Sequence, residues 1–226
     1  TNTKIAIAKG NDILQEWRIS TDSKRTGDEY FSILRPLIRD AEIDIKQIKG
    51  AILSSVVPSL IGAFVIVSQH LIGKKPIVIC PDMYDCLPIK LPESAKYEIG
   101  TDLLCNAVEA WCRYKTATII VDFGTALSFT AVDQNGNIAG VAIAPGLVTA
   151  VNALFGNTAQ LPQVELKVPE SALGRDSQSS IRAGIMIGYA DMVTSMINRV
   201  EAEIGESLYV IATGGLSNTI YPLIPR

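Results

Sequence analysis

The sequence predicts an α/β protein assembled from two similar halves, each of βββαβα type. Three observations carry this. The first half opens with a threonine, an alternating strand and a Gly-Asn turn, "TNTKIAIAKGN", and the second opens in the same way, "TALSFTAVDQNGN". Each half later holds a buried strand that ends in small residues, "AILSSVVP" and "YVIATGGL". Apolar residues make up 48% of the 226, which supplies a core for both halves and excludes a disordered chain. The repeat is one of structure, not of residue identity.

The elements follow in order. Residues 3–20 alternate apolar and polar around Gly10-Asn11-Asp12, the pattern of a β-hairpin. A helix is expected over 28–41, kinked or divided by Pro36. Residues 48–58 are expected as a buried strand stopping at Pro58, and 59–73 as a mostly apolar helix ended by Gly73. "KPIVIC" (75–80) is expected as another short buried strand. The proline- and acid-rich stretch 81–100 is the least regular segment, and a helix over 101–114 closes this half.

In the second half, residues 117–145 form three strands, joined by a tight bend at Gly124 and a turn at Asn135-Gly136. A helix begins near Pro145, and a longer one runs over 179–204. Residues 207–217 hold a buried strand that runs into the turn Gly214-Gly215. The expected lobes are therefore 1–114 and 115–226.

Charge and cysteine content narrow the function classes. The formal net charge is −3, with no basic cluster to serve nucleic acid or a membrane surface. No stretch approaches the ~18–20 apolar residues of a membrane span. Cys80, Cys86, Cys105 and Cys112 show no C-x-x-C spacing, and His70 is the single histidine. A Cys/His zinc site is disfavoured, and reduced thiols in a cytosolic protein are the simplest reading. His70 lies on an apolar helix and reads as structural, so a Ser-His-Asp hydrolase has little support.

The chemistry-bearing stretch is "IIVDFGTALSF" (119–129). It gathers a carboxylate, a bare backbone and a hydroxyl at one bend. Gly124 and Thr125 can bring backbone N–H groups close to an anion, because glycine has no Cβ in the way. Asp122 would repel a bare phosphate but suits a cation that accompanies one. "ATGGLS" adds a turn where a flat ring could lie against backbone. Together these describe a nucleotide and its metal held between two lobes. Taken alone, each motif is common, and Asp-Phe-Gly need be no more than a turn.

The blocks "TNTK", "SSVVP", "GTDLLCNAV", "VDFGTALSF", "IAPGL", "TAQLP", "LGRDSQSSIRAG" and "ATGGL" occur in an order that resembles the type III pantothenate kinases. These belong to the acetate and sugar kinase/Hsp70/actin superfamily. The resemblance implies a duplicated ribonuclease H-like (actin-like ATPase) fold, with its lobes around a nucleotide cleft. It implies ATP-dependent phosphorylation of pantothenate to 4′-phosphopantothenate, the first step toward coenzyme A. It further implies Mg²⁺, a monovalent cation (K⁺ or NH₄⁺), a cytoplasmic location and a homodimer whose interface shapes the substrate site. The family's Asp-x-Gly-Asn motif would stand immediately before Thr1. The first strand of one lobe and the end of the other are thus expected to lie beyond this chain, which opens with Thr and not Met.

Residue by residue, the resemblance makes Asp102 the proton acceptor. A primary alcohol is a poor nucleophile until a carboxylate within reach takes its proton. The local reading is a helix N-cap, and both can hold for one residue. Tyr97, Gly100 and Thr101 match the substrate side of the motif. Leu103 stands where the family usually has arginine, suited to pairing with the pantothenate carboxylate. Leucine cannot make that pair, so either another group holds the carboxylate or substrate choice differs. Ser177 matches a hydroxyl donor offered across the dimer interface, its local alternative being the cap of the helix that follows. Asp122 matches the monovalent-cation ligand, with Gly124 and Thr125 as the ATP contact. Thr1, Asn2, Thr3 and Lys4 match the end of the first phosphate motif. Two alternatives stay open: a kinase for a different small alcohol or a phosphatase-like hydrolase, and a non-catalytic accessory or regulatory relative.

Overall fold

The computed structural model describes residues 2–156 and 164–225. The chain forms two compact units. One comprises the chain to Met83 together with Gly100–Asp102, the other Tyr84–Ile99 and the chain from Leu103 onward.

In the first unit, β1 (Asn2–Lys9) and β2 (Asp12–Ser20) form the expected antiparallel hairpin, with Asn2 opposite Ser20 and Lys9 opposite Asp12. Gly10 takes φ +62° at the turn, a conformation other residues adopt only at a cost. Helix α1 (Gly27–Asp40) opens on a capping box. The Glu29 N–H donates to the Thr26 hydroxyl, and the Glu29 carboxylate accepts from the Thr26 N–H at 2.7 Å, which satisfies two of the donors a helix start leaves unpaired. Pro36, expected to kink or divide this helix, does not divide it. It sits on the exposed face, where the carbonyl one turn back can tilt toward water. The opposite face buries Tyr30 and Leu34 against Leu60, Ala63 and Val67 of α2 (Pro58–Ile72). Gly73, at φ +69°, ends α2 as predicted. His70 Nδ1 lies 3.4 Å from Asp28 and the ring meets Phe31 edge-on, a structural setting.

The two apolar runs expected as strands give only β3 (Ile52–Leu53) and β4 (Ile77–Val78), paired in parallel. Neither is the buried strand expected, since Ile52 and Ile77 are exposed: an apolar run does not say which partners cover it, and ladder length depends on a partner distant in sequence. Here the pairing reaches just one bond further at each end, through Ile77 N–H to Ala51 and Ile79 N–H to Leu53. The irregular stretch 81–100 contains two short 3₁₀ segments, Pro81–Cys86 and Glu93–Ala95. Helix α3 (Thr101–Tyr114) has the predicted bounds.

The second unit holds β5 (Thr118–Phe123), β6 (Ala126–Val132), β7 (Ile138–Pro145), α4 (Leu147–Gly156), α5 (Ser177–Ile204), β8 (Tyr209–Thr213) and α6 (Ser217–Ile220). This is the predicted βββαβα order, although β8, expected as a buried strand, lies at the sheet edge and none of its residues is fully buried. The sheet runs β7-β6-β5-β8, with β5 antiparallel to β6 and parallel to β8. As a central strand, β5 is buried along nearly its whole length, as an uninterrupted apolar run requires. Ile119, Val121 and Phe123 pack with Met186, Val193 and Ile197 of α5. The β6–β7 turn is held by Asp133, whose carboxylate accepts from the N–H groups of Asn135 and Asn137 at 2.8 Å. At Gly136, φ is +78° and the Trp111 ring occupies the space a side chain would need. The Lys115 ammonium stands 5.2 Å from that ring's centroid.

Candidate active site

Strand β5 delivers Asp122 to the end of the sheet, and the bend 124–126 is exposed while Asp122 is half-buried. The bend is fastened from behind. Gly124 N–H donates to the Ala126 carbonyl at 3.1 Å, and the Thr125 carbonyl accepts from Gly146 N–H at 3.0 Å and from the Thr149 hydroxyl at 2.7 Å. The loop between two central strands is therefore pinned by the residues that open α4.

Around the Asp122 carboxylate the structure places an amide and bare backbone. Asn106 Nδ2, on α3, donates to Asp122 Oδ2 at 3.1 Å. Oδ1 points at Gly214, the first glycine after β8, where an added Cβ would come within 2.6 Å of it and of the Phe123 backbone. Gly124 borders the same oxygen, its notional Cβ 3.6 Å away. Gly214 has φ +93°, so both its conformation and its surroundings demand glycine. A carboxylate oxygen facing two bare stretches of backbone suits a cation carried with phosphate. Among the described residues no group of three His, Cys, Asp or Glu gathers to hold a metal. A Mg²⁺ that accompanies ATP takes most of its ligands from phosphate and water and does not require such a group.

The head of α3 forms a second cluster. Thr101 begins the helix, so Asp102 is its second residue and lies inside the helix, not at the predicted cap position. Its Oδ1 folds back over Gly100, at 2.5 Å from where a Cβ would stand, so a side chain there would have to displace this carboxylate. Thr101 Oγ1 accepts from the Ser54 hydroxyl at 2.9 Å, tying the "SSVVP" block to this helix start. Leu103 follows, where the chain returns to the second unit.

The other predicted residues are dispersed. Tyr97 is 77% exposed, which rules out the ordinary fate of a tyrosine packed against a core and leaves its ring available to a ligand. Ser177 is exposed in the first turn of α5 and is not the cap. Asp176 caps instead, accepting from Ser179 N–H at 2.8 Å. The Ser179 bond is also the main cause holding the Asp176 carboxyl below its ordinary pKa. Asn2 and Lys4 are exposed on β1, with Lys4 directly opposite Arg18 so that two cations adjoin, and the Thr3 and Thr21 hydroxyls are bonded at 2.9 Å. Thr1 and the block "TAQLP" lie outside the described residues.

Sequence reasoning gave no role to Asn106, Gly146 or Thr149, and it read Gly214 as part of a turn for a flat ring without its approach to Asp122. Asn106 had a signal, since it stands four positions after Asp102 on one helix face. The three others act through partners distant in sequence.

Residues 1–199 match the family described as type III pantothenate kinase. The chain is 40% identical over 222 residues to a type III pantothenate kinase of Geobacter sulfurreducens, covering 98% of this chain and 86% of that one. It is 42% identical over 201 residues to the enzyme of the same description from Treponema pallidum (strain Nichols), covering 89% and 74%. Among solved structures it resembles the activator of the 2-hydroxyisocaproyl-CoA dehydratase from Clostridium difficile with bound ADPNP. That likeness has a TM-score of 0.53 at 15% identity, over 97% of this chain and 78% of that one. It bears out the duplicated ribonuclease H-like α/β fold.

Proposed function

Given that this chain belongs to the type III pantothenate kinase family, we propose that it transfers the γ-phosphoryl group of ATP to the primary hydroxyl of pantothenate, the first step of coenzyme A synthesis. The family match over residues 1–199 carries this reading.

Asp102 acts as the general base. Its carboxylate accepts the hydroxyl proton as the oxygen attacks phosphorus, and ADP leaves with the electrons of the broken P–O bond. Asp102 stands in the first turn of α3. The bend at Gly124 and Thr125 lies against the phosphates of ATP, glycine leaving room for their approach, and Asp122 ligates a monovalent cation, K⁺ or NH₄⁺, beside them. Mg²⁺ bound with ATP supplies neutralisation of the developing phosphate charge. Lys4, adjoining Arg18 on the hairpin, adds a cation for phosphate, with Thr1, Asn2 and Thr3 completing that motif. Tyr97, Gly100 and Thr101 line the pantothenate side, joined by Ser177 from the second subunit of a homodimer. The setting is the cytoplasm.

Leu103 favours one alternative, a kinase for a different alcohol, because an apolar side chain stands where a carboxylate-binding arginine would serve pantothenate. A coupled ADP-release assay separates the two, run with pantothenate and without it, in K⁺ and then in Na⁺. Pantothenate-dependent release that Asp102→Asn lowers by about 10²–10⁴-fold, with unchanged circular dichroism, is the expected result. Release with another alcohol and none with pantothenate would overturn the substrate, and full activity in Asp102→Asn would overturn the base.

A further inference from the structure

We infer that Asn106 is a positioning residue whose side-chain amide sets the orientation of the Asp122 carboxylate for cation binding. This rests on the reading of Asp122 as cation ligand given above, and adds a residue to which neither the family resemblance nor the motif analysis gave a role.

The Asn106–Asp122 bond spans α3 and β5 and is partly buried, with Nδ2 at 3.1 Å from Oδ2. A neutral amide donating to a carboxylate makes a charge-assisted bond. It holds one oxygen and so hinders rotation of the group about its Cβ–Cγ axis. The second oxygen is thereby set toward Gly214 and Gly124, the bare backbone beside the bend that would receive phosphate. Asparagine is also a poor choice inside a helix, since its side chain competes for backbone partners. In α3 its amide reaches across to β5. The same bond fastens the body of α3 to β5 within the second unit. A lysine or arginine at 106 would neutralise Asp122 and compete with a cation, whereas an amide orients the carboxylate without cancelling its charge.

The test uses the full chain and potassium chloride, with N-methylglucamine chloride as the ionic-strength control. Two readouts are taken: the rise in melting temperature with potassium, measured without substrate, and potassium-dependent ADP release. Asn106→Leu keeps the bulk and favours the helix but lacks the donor, and Asn106→Ser is smaller and cannot clash. For either variant that retains wild-type circular dichroism, the expected result is about tenfold more potassium for half of each response, with Asn106→Gln falling between it and the wild type. A role in packing alone would change the melting temperature without potassium and leave the half-saturating concentration in place. A folded variant with wild-type potassium half-saturation overturns the inference and leaves Asp122 as ligand. A wild type indifferent to potassium in both readouts overturns the Asp122 reading and this inference with it.

Discussion

The two units solve the same construction problem with different resources. In the second unit β5 lies between β6 and β8, so a hairpin and a parallel strand merge into one sheet whose centre is buried. In the first unit the hairpin β1–β2 and the parallel pair β3–β4 are separate ladders, and no residue of β1 is fully buried. A central strand therefore does more than add bonds. It turns both neighbours into a single surface on which a helix such as α5 can pack, and it gives the site at its tip a floor that does not give way.

The comparison can be broken most directly through the cores. Phe123→Ala, at a side chain 2% exposed, should cost about 3–5 kcal/mol, whereas Ile5→Ala on half-buried β1 should cost about 1 kcal/mol. Urea unfolding measures both, and equal costs would show that β1 shares a core of the same quality. Two left-handed glycines sharpen the point. Gly214→Ala adds a clash with the Phe123 backbone to its conformational penalty, and is expected to cost about 3 kcal/mol or more and to lower ADP release. Gly10→Ala has nothing within 4 Å of the new Cβ and should cost only the backbone term, about 1–2 kcal/mol. If the two substitutions cost the same, Gly214 is not closely packed in solution.

The smallest effect is pH-dependent and concerns the hairpin turns. Burial pushes the Asp133 carboxyl up, but the bonds from Asn137 and Asn135 outweigh it and hold the pKa below the ordinary value. A depressed folded-state pKa means that the turn's contribution is present above about pH 4, the unfolded carboxyl range, and fades as pH falls through the folded value. Asp133→Asn should therefore lower the urea midpoint at neutral pH, and the gap should close in acid. A gap that persists unchanged at low pH would mean that the carboxylate does not hold this turn.

Local pattern made the second unit readable. The alternation and turn residues of 117–145 place β5, β6 and β7, and the acid, glycine and threonine of the bend are neighbours in the chain. The same reasoning overextended β3 and β4, because apolar composition does not say how many residues find a ladder partner. It expected Pro36 to kink or divide α1, and did not foresee an undivided helix, because one sequence position does not reveal which face meets water. At the site, Asn106 stayed hidden because its meaning lies in Asp122, on a different element, and the turn at Gly214 was legible while its approach to Asp122 was not. Asp102 was found but placed one step off, since the helix starts at Thr101 and the aspartate turns back over Gly100.

The Trp111 ring that fills the space beside Gly136 under the Lys115 ammonium also makes the two units separately visible. The chain's other tryptophan, Trp17, stands half-buried on β2, so each unit carries its own ultraviolet fluorophore. Excited at the same wavelength, a variant that keeps only Trp17 reports the hairpin and one that keeps only Trp111 reports the sheet unit. The loosening of either can then be timed by emission colour alone, with no dye attached.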